Sequence, residues 1–220
     1  MHKIEIFLEK ILISIFLRGV LMMNSIAKVK IKGTRPFLFN NFSIERIPLK
    51  RTTKGGVAGN NPEEWKSSYR VTEEGQLYIE PNYIFSCLRA GGKYIPKSRG
   101  SLESDVAATV QVISEKILLD RYVISQSNIT TDSNDEVYID VRPVSRRGVK
   151  NIRYRLATQK GWETEFVVKW DSTLISPEQL HSICIEAGSF AGLGDGRKIG
   201  FGRFEVISFE QLNQEENKYA

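Results

Sequence analysis

Residues 176–209 read SPEQLHSICIEAGSFAGLGDGRKIGFGRFEVISF, and this stretch predicts a helix, a glycine-rich loop and a strand in direct succession. Ser176 is a good N-cap and Pro177 suits the first helical position, so we expect the helix to begin here. It is predicted to extend to about Phe190, because apolar residues recur at helical spacing: Leu180, Ile183, Cys184 and Ala187. After the glycine-rich loop, the last strand is predicted over residues 203–209.

Alternating side chains predict further strands upstream of this stretch. Residues 26–33, IAKVKIKG, alternate apolar with basic side chains, which is the period of a half-buried strand. Shorter apolar or alternating runs predict strands at residues 77–79, 117–124, 137–141, 152–156 and 165–170. A second helix opens at Pro81, ends at Gly91 and Gly92, and has one apolar face: Tyr83, Ile84, Cys87 and Leu88. Residues 106–113 are left open between helix and strand.

Without its insertions, the chain has the order strand, helix, strand, strand, helix, strand. This predicts an α+β protein with a ferredoxin-like (RRM-like) βαββαβ core and long loop insertions. Two helices would cover one face of an antiparallel sheet and leave the other face free to bind a ligand, as in RNA-recognition modules. We expect one domain over residues 25–210, with an aperiodic insertion at 34–64 and a polar tail at 211–220.

The first 24 residues are excluded from the fold prediction. Their apolar runs are too short and too interrupted by charge for a transmembrane helix, and no signal-peptide cleavage site is evident. They fit an amphipathic helix or translated upstream sequence before a start at Met22 or Met23, and we favour the second. Cys87 and Cys184 form no CxxC pair, so we expect buried small hydrophobes in a reducing, cytoplasmic compartment.

The glycine-rich loop carries the clearest functional signal. It contains Gly192-Leu193-Gly194 and, five residues later, Gly200-Phe201-Gly202. Glycines at this spacing allow a second backbone or a phosphate to approach closely, and the neighbouring cations are Arg197, Lys198 and Arg203. The spacing does not match a dinucleotide-binding fingerprint, and no Gly-Lys-Ser/Thr of a Walker loop is present. A tight hairpin that leads into an edge strand is the simpler alternative.

This loop is similar to the C-terminal glycine-rich loop of the RAMP superfamily of CRISPR-associated proteins, in which two Gly-hydrophobic-Gly units flank five residues. Residues 77–89, LYIEPNYIFSCLR, also resemble the strand-to-helix junction of crRNA-binding backbone subunits, with Ser86 at a position where glycine is usual. The resemblance implies a ferredoxin-like fold and sequence-independent binding of guide RNA in antiviral defence. It also implies that the partners are further copies of the chain and other effector subunits. No membrane partner is expected.

Basic residues support an anionic ligand. The net charge is +5, and residues 142–160 contain seven basic residues and no acidic ones, followed by Trp162 as a stacking aromatic. Smaller acid-free clusters lie at residues 46–54 and at Lys93, Lys97 and Arg99. A solvated hairpin is the alternative interpretation. The predicted RNA-binding residues are Lys50, Arg51, Lys54, Arg146, Arg147, Lys150, Arg153, Arg155, Gly194, Arg197, Lys198, Gly200 and Gly202.

A catalytic role has little support in the sequence. The only histidines are His2 and His181, and His181 lies beside the apolar stripe of its predicted helix, where a structural role is expected. The loop at 34–64 contains no aspartate of the kind that cleaves target RNA in some backbone subunits. No metal or cofactor motif is present. A crRNA-processing endoribonuclease and a RAMP-like nucleic-acid-binding protein outside CRISPR remain as alternatives.

Overall fold

The computed structural model describes residues 24–41, 61–146 and 149–212, with the side chains of all of these except residues 146, 149 and 150. The strands in chain order are β1 (Asn24–Gly33), β2 (Phe37–Leu38), β3 (Arg70–Val71), β4 (Gln76–Ile79), β5 (Gln111–Val112), β6 (Ile117–Tyr122), β7 (Val137–Arg146), β8 (Val149–Thr158), β9 (Glu163–Asp171) and β10 (Phe204–Leu212). The α-helices are α1 (Pro81–Gly91), α2 (Glu103–Thr109) and α3 (Pro177–Glu186).

The main sheet has the strand order β10-β1-β9-β6-β4-β3, with β5 also paired to β9, and every pairing is antiparallel. On one face, alternate β1 residues Ala27, Val29 and Ile31 are buried in the same cluster as the apolar sides of α1 and α3. Burial of this shared apolar surface holds the helices on the sheet. The α+β class with antiparallel sheets is therefore confirmed.

A second sheet has the order β2-β8-β7, and its long β7–β8 hairpin interrupts the chain between β6 and β9. The insertion predicted at 34–64 is described at residues 34–41 and 61–64. In this part Phe37, Leu38 and Phe39 are buried and β2 pairs with β8, so these residues of the predicted insertion belong to the second sheet. Two paired residues are too few to produce a periodic pattern in the sequence.

Local signals account for both main helices. Pro81 is at the start of α1, and Ile84, Cys87 and Leu88 face the core as predicted. At α3, Ser176 Oγ accepts from the Gln179 backbone N–H (3.3 Å), and Gln179 Oε1 accepts from that of Ser176 (2.8 Å). A π-helical turn over Ala187–Ala191 continues α3 into the glycine-rich loop. The stretch left open at 106–113 divides between α2 and β5.

Both cysteines are buried and free, as predicted. Burial raises the pKa of the Cys87 thiol to about 12, so this thiol stays protonated at neutral pH. No helix in the described part of the chain has the length and apolar character needed to span a bilayer.

Candidate nucleic-acid interface

The glycine-rich loop follows a path that requires glycine. Its five glycines all have positive φ, between 67° and 90°, which L side chains rarely adopt: Gly192, Gly194, Gly196, Gly200 and Gly202. Between them, Arg197–Ile199 form one 3-10 turn, and the side chains of this turn are exposed. The loop therefore presents a short basic turn to solvent on a tightly folded base.

At that base, the close approach predicted for another molecule is made by the protein's own backbone. A Cβ at Gly202 would lie 1.8 Å from the Leu193 carbonyl oxygen, and one at Gly194 would lie 2.5 Å from that of Leu38. The Gly202 N–H donates to the Pro36 carbonyl at 2.8 Å. By contrast, a Cβ at Gly200 would meet only the Arg35 Nη2 atom, at 3.9 Å. Of these three predicted binding glycines, Gly200 alone faces open space.

Four cations converge around Gly200, and we call them the loop cations: Arg35, Arg197, Lys198 and Arg203. The backbone N–H groups of Thr34 and Arg35 donate to the Arg203 carbonyl at 2.8 and 3.2 Å, which joins the end of β1 to the start of β10. Arg203 Nη2 donates to the Arg197 carbonyl at 3.4 Å. None of the four has an acidic partner among the described residues, and Arg35, Arg197 and Lys198 are exposed, so the charge of these three is available to an anion.

A polar pocket of about 330 Å³ opens beside the loop cations. Gly194 and Arg197 line it from the loop, and Glu80, Asn82, Tyr83 and Ser86 line it from the β4–α1 junction. The full lining is Asn40, Asn41, Arg70, Glu80, Asn82, Tyr83, Ser86, Gly194 and Arg197. The two stretches that resemble the RAMP superfamily, 77–89 and 192–204, therefore meet at one pocket.

Hydrogen bonds fix the pocket wall. The Tyr83 hydroxyl donates to the Asn40 carbonyl at 2.8 Å, and Arg70 Nε lies 3.0 Å from Glu80 Oε1 and 3.2 Å from Asn41 Oδ1. Burial, followed by the charge of Glu80, raises the pKa of Tyr83, so its phenol keeps the proton. The pocket thus offers amide and carboxylate acceptors together with guanidinium donors, a set suited to a ligand with hydroxyl and phosphate groups.

Two arginines predicted to neutralise phosphates are neutralised inside the protein instead. Arg153 Nη2 lies 2.7 Å from Glu64 Oε1, and Arg155 Nη1 lies 2.8 Å from Asp195 Oδ2. The Arg155 side chain is 5% exposed. Neither ion pair could be predicted from the interval 142–160, which contains no acid, because both carboxylates come from segments distant in sequence.

Trp162, predicted to stack on bases, is also buried. Its indole N–H donates to the Arg35 carbonyl at 2.9 Å, and its ring packs edge-on against Phe37. The tryptophan is therefore part of the core.

In the basic cluster of Lys93, Lys97 and Arg99, Lys97 pairs with Asp105 at 2.7 Å and Lys93 with Glu103 at 3.6 Å. These two lysines therefore have partners on α2.

Several predicted RNA-binding residues lie outside the described part of the structure: Lys50, Arg51, Lys54 and Arg147, together with the side chains of Arg146 and Lys150. Their backbone pairing places Arg146 and Lys150 at the tip of the β7–β8 hairpin. Their role in RNA binding stays a prediction.

The helix-free face of the main sheet is not a basic platform. Lys28 pairs with Glu165 at 2.8 Å, and Lys30 and Lys32 each pair with Glu163 at 2.9 Å. Glu205 stands opposite Lys32, and Glu210 opposite Lys28, on the neighbouring strand β10. Lys28 and Lys32 therefore have carboxylates on both sides, and Lys30 has one on the β9 side, which removes the attraction for phosphate that this face was expected to offer.

His181 lies on α3, where its ring stacks on Phe209 with centroids 5.0 Å apart. His2 lies outside the described residues. Within residues 24–41, 61–146 and 149–212, no three His, Cys, Asp or Glu side chains are grouped to hold a metal ion.

The sequence indicated only part of this candidate site. It identified Arg197, Lys198 and the β4–α1 junction, but did not include Arg35, Arg70, Asn40 or Asn41 in the site. Arg35 lies two residues after the end of β1, and the pairing of β1 with β10 brings it to the loop. A prediction that β1 pairs with β10 would have indicated that Arg35 lies beside the loop.

No protein-family model matches the chain, and no curated protein matches it. Among solved structures, a chain of the "Cryo-EM structure of the Type III-B Cmr-beta bound to cognate target RNA" aligns with 96% of this chain and 67% of its own length. The sequence identity is 15% and the TM-score is 0.49. Function is therefore inferred from the geometry of the site.

Proposed function

We propose that this protein binds the sugar–phosphate backbone of guide RNA without sequence preference, as a subunit of a CRISPR effector complex. The observation that carries the proposal is the group of loop cations, which lack acidic partners among the described residues and border a polar pocket. Cations in such an arrangement attract phosphates of any sequence. Further copies of the chain and other effector subunits would extend the bound strand on either side.

The proposed core is ferredoxin-like and consists of β1, α1, β6, β9, α3 and β10. The strand order β10-β1-β9-β6, antiparallel throughout, supports this topology, as do two helices that share one face. The glycine-rich loop then lies between the second core helix and the last core strand. This is the position that the loop has in the RAMP superfamily, which the sequence motif resembles.

The proposed RNA path follows the loop and the N-terminal end of α1 rather than the helix-free face of the sheet. The ion pairs of Lys28, Lys30 and Lys32 with glutamates make that face a poor phosphate surface. The sequence at the tip of the β7–β8 hairpin contains Arg146, Arg147 and Lys150, and these residues would add contacts to the same RNA strand.

The test is the salt dependence of binding to single-stranded RNA, followed by fluorescence anisotropy. The double variant Arg197→Ala/Lys198→Ala removes two phosphate contacts, so the slope of log affinity against log salt should fall by about 1.4. The charge-matched control, Lys116→Ala/Lys169→Ala, removes two lysines that have no ion pair among the described residues and should leave the slope unchanged. Equal effects of both variants, or binding that does not respond to salt, would contradict the proposal.

The proposed role is binding and not cleavage. A crRNA precursor incubated with the purified protein should stay intact. If the precursor were cut and His181→Ala abolished the cut, the endoribonuclease alternative would replace the binding role.

A further inference from the structure

One wall of the pocket carries a carboxylate where a pure phosphate site would have none. Glu80 stands at the N-cap position of α1, but its side chain makes no capping hydrogen bond. Its Oε1 atom is held by Arg70 Nε at 3.0 Å, and the one hydrogen-bond contact of its Oε2 atom within the described residues is a long one, 3.5 Å, with Asn82 Nδ2. Oε2 therefore keeps acceptor capacity, on a side chain that is 40% exposed.

A carboxylate in this position selects the chemistry of its partner. Its Oε2 lone pairs accept strongly from a hydroxyl or an amino group, and they cannot bond a phosphate oxygen, which has no proton to donate. Arg197, one of the loop cations, lines the same pocket, so the pocket holds both a phosphate-attracting cation and a hydroxyl-accepting carboxylate. A ribose unit carries both groups next to each other, because its 2′-hydroxyl adjoins the 3′-phosphate.

We infer that the pocket distinguishes RNA from DNA, with Glu80 as the residue that accepts a hydrogen bond from a ribose 2′-hydroxyl. The inference rests on the proposed binding of a nucleic-acid backbone and names the feature of that backbone which is recognised. The 2′-hydroxyl is the donor that RNA has and DNA lacks. A site with an acceptor committed to a hydroxyl binds poorly to the analogue without it, because the acceptor is then left without its donor.

Arg70 is a positioning residue in this arrangement. It holds Oε1 and also bonds Asn41, so the carboxylate cannot swing out of the pocket freely. The neighbouring Asn82 and Ser86 side chains line the same wall and add neutral polar groups around the sugar. Recognition of the sugar rather than the base agrees with binding that has no sequence preference.

The experiment compares three oligonucleotides that share the base uracil and the length: uridine RNA, deoxyuridine DNA and 2′-fluoro-uridine RNA. The 2′-fluoro strand keeps the ribose pucker of RNA but has no hydroxyl donor, so it separates shape from hydrogen bonding. The protein should bind uridine RNA roughly tenfold more tightly than either analogue. Glu80→Ala should bring the three affinities together.

Glu73→Ala is the matched control, because Glu73 is an exposed acid at the opposite end of β4 and has no ion pair among the described residues. Both variants remove one negative charge, but only Glu80→Ala should abolish the preference for RNA. Equal affinities for all three strands in the parent protein, or an RNA preference that survives Glu80→Ala, would overturn the inference and leave the proposed function intact. If none of the strands bound, the proposed function itself would fall.

Discussion

At Gly202 the path of the loop leaves no room for a side chain, whereas at Gly200 it does. Both residues have positive φ, so alanine at either position costs about 1–2 kcal/mol in backbone strain. At Gly202 the added Cβ would also collide with the Leu193 backbone. Substitution at Gly202 therefore tests how tightly the base of the loop is packed, whereas substitution at Gly200 changes mainly its exposed surface.

We expect Gly202→Ala to lower the free energy of unfolding by about 3 kcal/mol or more, and Gly200→Ala by about 1–2 kcal/mol. Urea unfolding followed by circular dichroism measures both. Equal losses at the two positions would mean that the clash at Gly202 is relieved by movement of the loop.

The candidate site could be predicted only in part at the scale of the residue. Arg197 and Lys198 lie in the glycine motif itself, so the sequence identified them. Arg155 looked equivalent, because its neighbours in the chain are basic, yet it is paired with Asp195. Whether a cation is free depends on acids from distant segments, and a local window of sequence does not contain them.

At the scale of the element, β1 and β9 are joined on their helix-free face by a ladder of lysines and glutamates. Hydrogen bonds from Lys30 and Lys32 lower the pKa of Glu163 from its usual 4.5 to about 2. A carboxyl group with a lowered pKa in the folded state stabilises the fold above pH 4.5 and loses that contribution as the pH falls toward 2.

The wild type should therefore be more stable than Glu163→Gln at neutral pH, with a difference in Tm that shrinks between pH 4.5 and 2. Thermal unfolding at a series of pH values measures this. Glu73→Gln, which removes an exposed acid that has no ion pair within the described part of the chain, should show no such convergence. A Glu163→Gln difference that stayed constant down to pH 2 would show that the ladder does not depend on this carboxylate.

Elements with strong local signals were predicted well, and short ones were not. The alternation in β1 and the capping box of α3 identify their structures without help from the rest of the chain. The strand β2 has two residues and forms because β8 offers it a partner. Its burial under the loop is a property of the packed molecule.

At the scale of the whole molecule, the β7–β8 hairpin contacts the glycine-rich loop through an apolar cluster and an ion pair. Leu38, Tyr138 and Ala157 form a small buried cluster against Phe201, and Arg155 pairs with Asp195. Asp195 also accepts from the Gly196 backbone N–H at 2.7 Å, so it shapes the loop and binds the hairpin at once. The second sheet therefore packs directly against the proposed RNA-binding loop and stabilises its conformation.

Asp195→Asn should lower the free energy of unfolding by about 1–3 kcal/mol, because it leaves the buried Arg155 guanidinium without its counter-charge. The value is below that of a fully buried pair, since Asp195 is 37% exposed. Glu63→Gln, which removes the partner of exposed Lys66, is the control and should change stability by less than about 0.5 kcal/mol.

A double variant, Arg155→Met/Asp195→Asn, completes the cycle. It should recover part of the stability lost in Asp195→Asn, because the uncompensated buried charge is gone. Strictly additive losses in the two single variants would contradict a coupling between hairpin and loop through this pair.

The sequence by itself determined the order of the longer strands and of the two main helices, the capped start of α3 and the glycines that the loop path requires. These depend on side-chain periodicity and backbone freedom, which act over a few neighbouring residues. Only the tertiary structure decided which cations are free, that Trp162 is core, and that residues 77–89 and 192–204 share a pocket. Burial and charge pairing depend on what the fold brings near in space, and Glu64 and Asp195 reach their arginines from segments distant in the chain.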